Sequence, residues 1–115
     1  METIGLFPLS TVIFPESAIP LHVFEERYKK LINDCLRENT VFGINLNFNG
    51  KFSQIGCSVD IIDVINKYDD GKMDIIVGGR QRFKINSLID GKAYHRANIE
   101  FFDDNKEELN QALFD

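Results

Sequence analysis

The chain contains no tryptophan, three prolines, two cysteines and a minority of cations, 13 Lys and Arg against 18 Asp and Glu, in 115 residues. Each scarcity excludes something. The two cysteines, Cys35 and Cys57, form no metal-ligand spacing and argue little for a disulfide, so both read as buried thiols. A net charge of -5 leaves nucleic acid dependent on a strongly local basic face. No apolar run approaches the roughly 20 residues that cross a bilayer. The start Met1-Glu2-Thr3-Ile4-Gly5 lacks the basic stretch and apolar run of a signal peptide. The expectation is a cytoplasmic protein without a membrane partner. With 43% hydrophobic and 27% charged residues, one core fits this length, while a second domain or an ATP-driven motor does not.

Three Gly-Lys pairs occur, at Gly50, Gly71 and Gly91, but Phe, Met and Ala follow them where a phosphate-binding loop needs Ser or Thr. No ATP site is expected, and no other cofactor or metal. His22 and His95 stand isolated in extended stretches, and an isolated histidine is more often an ordinary polar residue than a ligand or base. No convincing catalytic set emerges, so an enzyme is not expected.

What is abundant is phenylalanine, ten residues beside three tyrosines. A phenyl ring has no polar tip, so each is either core or a contact for a partner. Residues 4–9 and 11–14 read as extended pieces broken by Pro8 and Pro15, with a turn at Pro20. Phe24, Tyr28, Leu31, Ile32, Cys35 and Leu36 then form one apolar stripe at helical period, with Glu26, Lys29, Lys30, Asn33 and Arg37 opposite. The spacing predicts a helix ending near Asn39, with acids at its start and Arg37 in its last turn.

The period then becomes two. Phe42, Ile44, Leu46 and Phe48 alternate with polar or small residues up to Asn49-Gly50, a strong two-residue hairpin signal. Such a turn pairs Leu46 with Ser53, Ile44 with Ile55 and Phe42 with Cys57, and sets Phe52 opposite Asn47 on the other face. Phe52 is therefore a candidate exposed aromatic. A two-residue turn at Asp70-Gly71 pairs Ile65 with Ile76 and Val64 with Val77. A three-residue loop at Asp90-Gly91-Lys92 pairs Ile85 with Ala97 and Phe83 with Ile99. Apolar pairs on both faces fit a sheet curling into a barrel with a helix outside. Leu109, Ala112 and Leu113 behind four acids suggest a short helix in residues 103–115. The reading is an α+β domain, mostly antiparallel, over residues 1–102, with 103–115 as its helical tail.

Arg80, Arg82 and Lys84 alternate along one strand and could contact phosphates, or could be neutralised by Asp60, Asp63 and Asp74.

Leu6-Phe7-Pro8-Leu9, Phe14-Pro15 and the string Pro20-Leu21-His22-Val23-Phe24-Glu25-Glu26-Arg27-Tyr28 resemble the opening of the N-terminal domain of Lon proteases, the LON substrate-binding domain. Phe42-Gly43-Ile44, Ile55-Gly56-Cys57 and Gly79-Arg80-Gln81-Arg82-Phe83 extend the resemblance over nearly the whole chain. It implies a PUA-like pseudo-barrel with one packed helix, used to recognise protein substrates and to help subunits assemble. Lon itself continues into helical, ATPase and Ser-Lys protease regions, so the resemblance is to a stand-alone recognition domain. The tight hairpin at residues 48–55 departs from a loop that is often longer. Pro20, Phe24, Glu25, Arg27 and Tyr28 then form an architectural signature, with Phe24 and Tyr28 on the buried stripe and Arg27 able to fork onto Glu25. The expected function is non-catalytic binding of exposed apolar polypeptide segments, with Phe14, Phe48 and Phe52 as candidate contacts. Clients are unfolded or peptide-like, and a separate protease or a second copy is a further candidate partner. RNA binding through the basic stripe and an assembly role for the tail are the alternatives.

Overall fold

A computed structural model describes residues 2–11, 13–90 and 92–102; the tail helix expected in 103–115 lies outside the described residues. The element order is β1 (Glu2–Leu9), β2 (Ala18–Val23), α1 (Glu26–Glu38), β3 (Phe42–Phe48), β4 (Lys51–Lys67), β5 (Met73–Ile89) and β6 (Arg96–Phe101). The strands run β2-β5-β4-β3-β1-β6, and a further β5 to β6 pairing closes the last five into a barrel. All pairs are antiparallel except β1 with β3. The 17-residue β5 serves two partners along one edge, β2 near its start and β6 near its end.

Two apolar clusters follow from this. Ile4, Leu6, Phe83, Ala97 and Ile99 fill the barrel. A larger cluster, including Phe7, Val23, Leu31, Ile32, Phe42, Ile44, Val59, Ile75 and Val77, lies between the sheet and α1. β5 contributes to both because of a bulge. Val59 pairs with Gly79 but Cys57 with Arg82, so two β5 residues stand against Ser58. The extra residue flips the alternation. Before it Ile75 and Val77 face the helix side; after it Phe83 enters the barrel and Arg82 shares the face of Cys57.

The helix is where the periodicity places it, but three of its expectations need correction. Phe24 lies ahead of α1 and is exposed, not part of a buried stripe, while Lys29 is buried. The Lys29 stem lies along the protein and its ammonium donates to Glu26 Oε1 and the Asp70 carbonyl, both at 2.8 Å. Leu36, on the expected stripe, is also exposed. Residues 13 and 14 form no strand. Pro20 makes no turn: it sits inside β2 opposite Ile76, tolerable because β2 is the outer strand and loses no ladder bond there.

The Asn49-Gly50 turn forms with both residues at positive φ, 52° and 77°, and Asn47 faces Phe52. Beyond it Asn45 pairs with Gly56, so Leu46 stands against Ser53, Gln54 and Ile55, and Ile44 pairs with Cys57 rather than Ile55. The slip is two residues, which keeps every side chain on its expected face. At the next turn the expected register is corrected. Tyr68 N donates to Lys72 O, enclosing three residues, with Gly71 at φ 89°. Ile62 and Ile65 are then bulge residues without cross-strand partners, which is why these isoleucines are 60% and 52% exposed. The last loop is also longer than expected. Ile89 pairs with Arg96, Ile85 with Ile99 and Phe83 with Phe101, because Tyr94 leaves the hairpin and is buried against the helix.

Candidate functional site

Residues 13–17 approach β2 over the helix-side face of the barrel near the β3 to β4 hairpin. Glu16 N donates to Gly79 O at 2.9 Å and Gly79 N to Ser17 O at 2.7 Å, so the segment is tied to β5. A side chain on Gly79 would collide with the Phe14 carbonyl, which makes glycine obligatory for this approach. Between the segment and the hairpin lies a cleft of about 230 Å3. Ile13, Ile44, Leu46, Ile55 and Cys57 form its apolar wall, with Thr11, Ser53 and Arg82 at its polar positions. The three-against-one irregularity at residues 53–55 holds the hairpin open here, with Ile55 N donating to Ser53 Oγ at 3.1 Å.

Phe14 stands at this rim, 60% exposed, its ring centroid 4.8 Å from the Arg82 guanidinium carbon. Such stacking fixes the plane of the guanidinium while leaving its N–H groups free to donate. Phe52 is also exposed, but its ring meets His95 edge-on at 5.9 Å, away from the Arg82 stack. The side chain of Phe48 lies outside what the structure describes. The structure therefore gives Phe14 and Phe52 different neighbours.

The basic stripe is broken up. Arg80 pairs with Asp60 at 2.9 Å, Arg82 turns to Phe14, and Lys84 stands opposite Glu100 across the β5 to β6 ladder. Asp74 serves other partners: His22 Nδ1 and Tyr68 Oη at 2.6 Å and Asn66 Nδ2 at 3.2 Å. The Tyr68 and His22 bonds hold its carboxyl below the usual range.

The signature string mostly builds the strand-to-helix junction. Glu25 occupies the N-cap through its backbone carbonyl, which accepts from Tyr28 N and Lys29 N, both at 3.0 Å. Its carboxylate lies 3.6 Å from Arg27 Nε, with both side chains about half exposed, too loose a pair to hold much. Tyr28 stacks on Phe7 at 4.3 Å, and Phe24 on His22 at 5.7 Å.

Three larger hollows lie elsewhere among the described residues. One, of about 410 Å3, is lined by Glu2, Asp34, Glu38, Lys92, Tyr94 and Arg96 among others. There Asp34 already accepts from Tyr94 Oη at 2.6 Å and from Lys30 Nζ and Arg37 Nη2 at 2.9 Å. A second, about 470 Å3, is a shallow basin at His22, Tyr68, Asp69, Asp70 and Lys72, and a third, about 390 Å3, lies at Cys35, Leu36, Asn39, Thr40, Asp60, Ile61 and Ile62. Among the described residues no three His, Cys, Asp or Glu side chains gather as metal ligands would. Burial raises the thiol pKa of both Cys35 and Cys57, which opposes thiolate chemistry.

Sequence reasoning found Phe14 and Arg82 but not that they meet. Ile13, Leu46 and Ile55 were legible as apolar residues and not as a cleft. The signal available was Leu46 and Ile55 converging on one face beside a Pro-bounded segment.

Among the described residues, a closed mixed-sheet pseudo-barrel with one helix packed on it defines an α+β fold. The family model of the ATP-dependent protease La (LON) substrate-binding domain matches residues 3–115, and the chain belongs to this family. It is 26% identical over 121 residues to a Lon protease of Flavobacterium johnsoniae, covering 97% of this chain and 15% of that protein. It is 27% identical over 108 residues to Lon protease 2 of Syntrophobacter fumaroxidans, covering 86% and 14%. The chain thus spans about 15% of the length of the first of these relatives. A crystal structure of a Lon N-terminal domain protein from Xanthomonas campestris superposes with a TM-score of 0.79 at 29% identity, covering 90% of this chain and 61% of that one. The N-terminal domain of a Mycobacterium avium complex Lon protease shares the fold, with a TM-score of 0.74 at 15% identity and coverage of 91% and 57%.

Proposed function

We propose that this chain is a non-catalytic module that binds exposed apolar segments of other polypeptides in the cleft between Thr11 and Ile13 on one side and the β3 to β4 hairpin on the other. The observation that carries the reading is that buried Ile13, Ile44 and Cys57 continue into half-buried Leu46 and Ile55 along the wall of one cleft. An apolar cleft with a few polar groups at its edge is the usual form of a binding site. The substrate-binding family supports a polypeptide as the ligand. A dry apolar cavity of about 150 Å3 holds one benzene ring, so about 230 Å3 suits one large side chain at a time. Burying one such side chain contributes about 1.5–3 kcal/mol, so binding is weak and tolerant of sequence, as unfolded clients require. The two free, buried thiols suit a reducing compartment, and we place the protein in the cytoplasm.

Titration of a fluorescent, permanently unfolded model protein tests this. Leu46→Asp, which puts a charge into the cleft wall, abolishes binding, and Phe14→Ser weakens it several-fold. Phe52→Ser, at the separate aromatic site, leaves affinity unchanged. Equal binding by wild type and Leu46→Asp would remove the cleft from the function.

A further inference from the structure

Among the described residues one cation, Arg82, lines the cleft. Among the described residues, Arg80 takes Asp60 while Arg82 has no carboxylate partner. Arg82 is half-buried, opposite Cys57 in the ladder, and its charge is close enough to the Cys57 thiol to oppose the rise in pKa that burial causes. The Phe14 ring holds the guanidinium at 4.8 Å. A guanidinium held against a ring, with no carboxylate partner among the described residues, presents a fork of donors suited to a carboxylate.

Resting on the reading of the cleft as the client site, we infer that it selects polypeptide C-termini: the final apolar side chain enters the Leu46 and Ile55 wall and the terminal carboxylate takes the Arg82 fork. The size of the cleft supports the terminus over an internal acid. With room for about one side chain, about 230 Å3, carboxylate and apolar group must arrive together. Only the last residue of a chain carries both on one Cα, whereas an internal Asp or Glu spends its own side chain on the cation and leaves the apolar group a residue away. Capture of a terminal carboxylate beside an apolar pocket is a recurrent way to read chain ends.

The test uses three fluorescent decapeptides of one sequence: ending in Leu as the free acid, ending in Leu as the amide, and the amide with Asp as the penultimate residue. Anisotropy is measured with wild type, Arg82→Gln, Arg82→Lys and Leu46→Asp, each checked for folding by circular dichroism. A charge-assisted pair of this kind corresponds to about tenfold in affinity. The free acid should bind wild type about tenfold tighter than either amide, and added salt should narrow that gap. Arg82→Gln should erase the preference while keeping the amide affinity, and Arg82→Lys should retain part of it. Equal binding of acid and amide to wild type, lost in Leu46→Asp, would overturn the inference and leave the cleft intact as a site. An Asp-containing amide as tight as the free acid would overturn the choice of chain ends. Failure of every peptide to bind would overturn the cleft reading and this inference together.

Discussion

Tyr94→Phe tests how the helix is held to the barrel. Asp34 of α1 is 2% exposed, and its carboxylate divides its partners unevenly. Lys30 and Arg37 share Oδ1, while the Tyr94 hydroxyl alone serves Oδ2 at 2.6 Å. The tyrosine bond is the largest cause holding the Asp34 carboxyl down to about 2, followed by the lysine and arginine bonds, against burial that pushes it up. Removing the hydroxyl leaves the ring in place, so no cavity forms and the change isolates one bond to a buried charge, worth about 1.5–3 kcal/mol. The neighbouring hollow lined by Asp34 and Tyr94 gives water a route to Oδ2, which places the loss near the lower figure, about 1.5 kcal/mol or roughly 6–8 °C in Tm. Urea unfolding followed by circular dichroism should show this loss at pH 7. Because the folded pKa is depressed, the stabilisation is full above the unfolded value near 3.8 and disappears as pH falls through about 2. Wild type and variant should therefore converge between pH 4 and pH 2. Identical urea midpoints at pH 7, or a gap that stays constant down to pH 2, would refute the reasoning.

Other expectations follow from single contacts. Gly79→Ala should shift the urea midpoint by about 1–3 kcal/mol of stability, and should also weaken client binding, because the new Cβ meets the Phe14 carbonyl and displaces the cleft rim. Phe42→Ala, at 0% exposure, should cost about 3–5 kcal/mol, read by thermal melting. Gly50→Ala should cost about 1 kcal/mol through strain alone, since φ is 77° and nothing lies within 4 Å of the new methyl. Arg80→Ala should change the thermal midpoint by almost nothing, since its pair with Asp60 is 65% and 40% exposed.

The barrel was largely legible because period-two patterning fixes faces, and the β3 to β4 slip of two residues preserved them. Bulges were not legible: Ile65 reads as an ordinary paired strand residue, whereas the β4 to β5 register leaves both Ile62 and Ile65 unpaired. Helix position followed from periodicity, but the burial of Lys29 and Asp34 depended on Asp70 and Tyr94, 41 and 60 residues away. For the same reason the last hairpin was misread, since a tyrosine needed by the helix was counted as strand. Arg82 stood out as a cation in a stripe, while its meeting with Phe14 required the bulge that turns it onto the cleft face. Phe24 misled through its spacing, because the chain enters α1 two residues later.

Backbone and methyl NMR of the labelled protein, titrated with an apolar peptide, addresses the cleft most directly. Shifts confined to Ile13, Ile44, Leu46, Ile55 and the Arg82 side chain, saturating together and absent at Phe52 and His95, are the predicted result. Saturating shifts centred on Phe52 and His95, with the cleft methyls unmoved, would contradict the account.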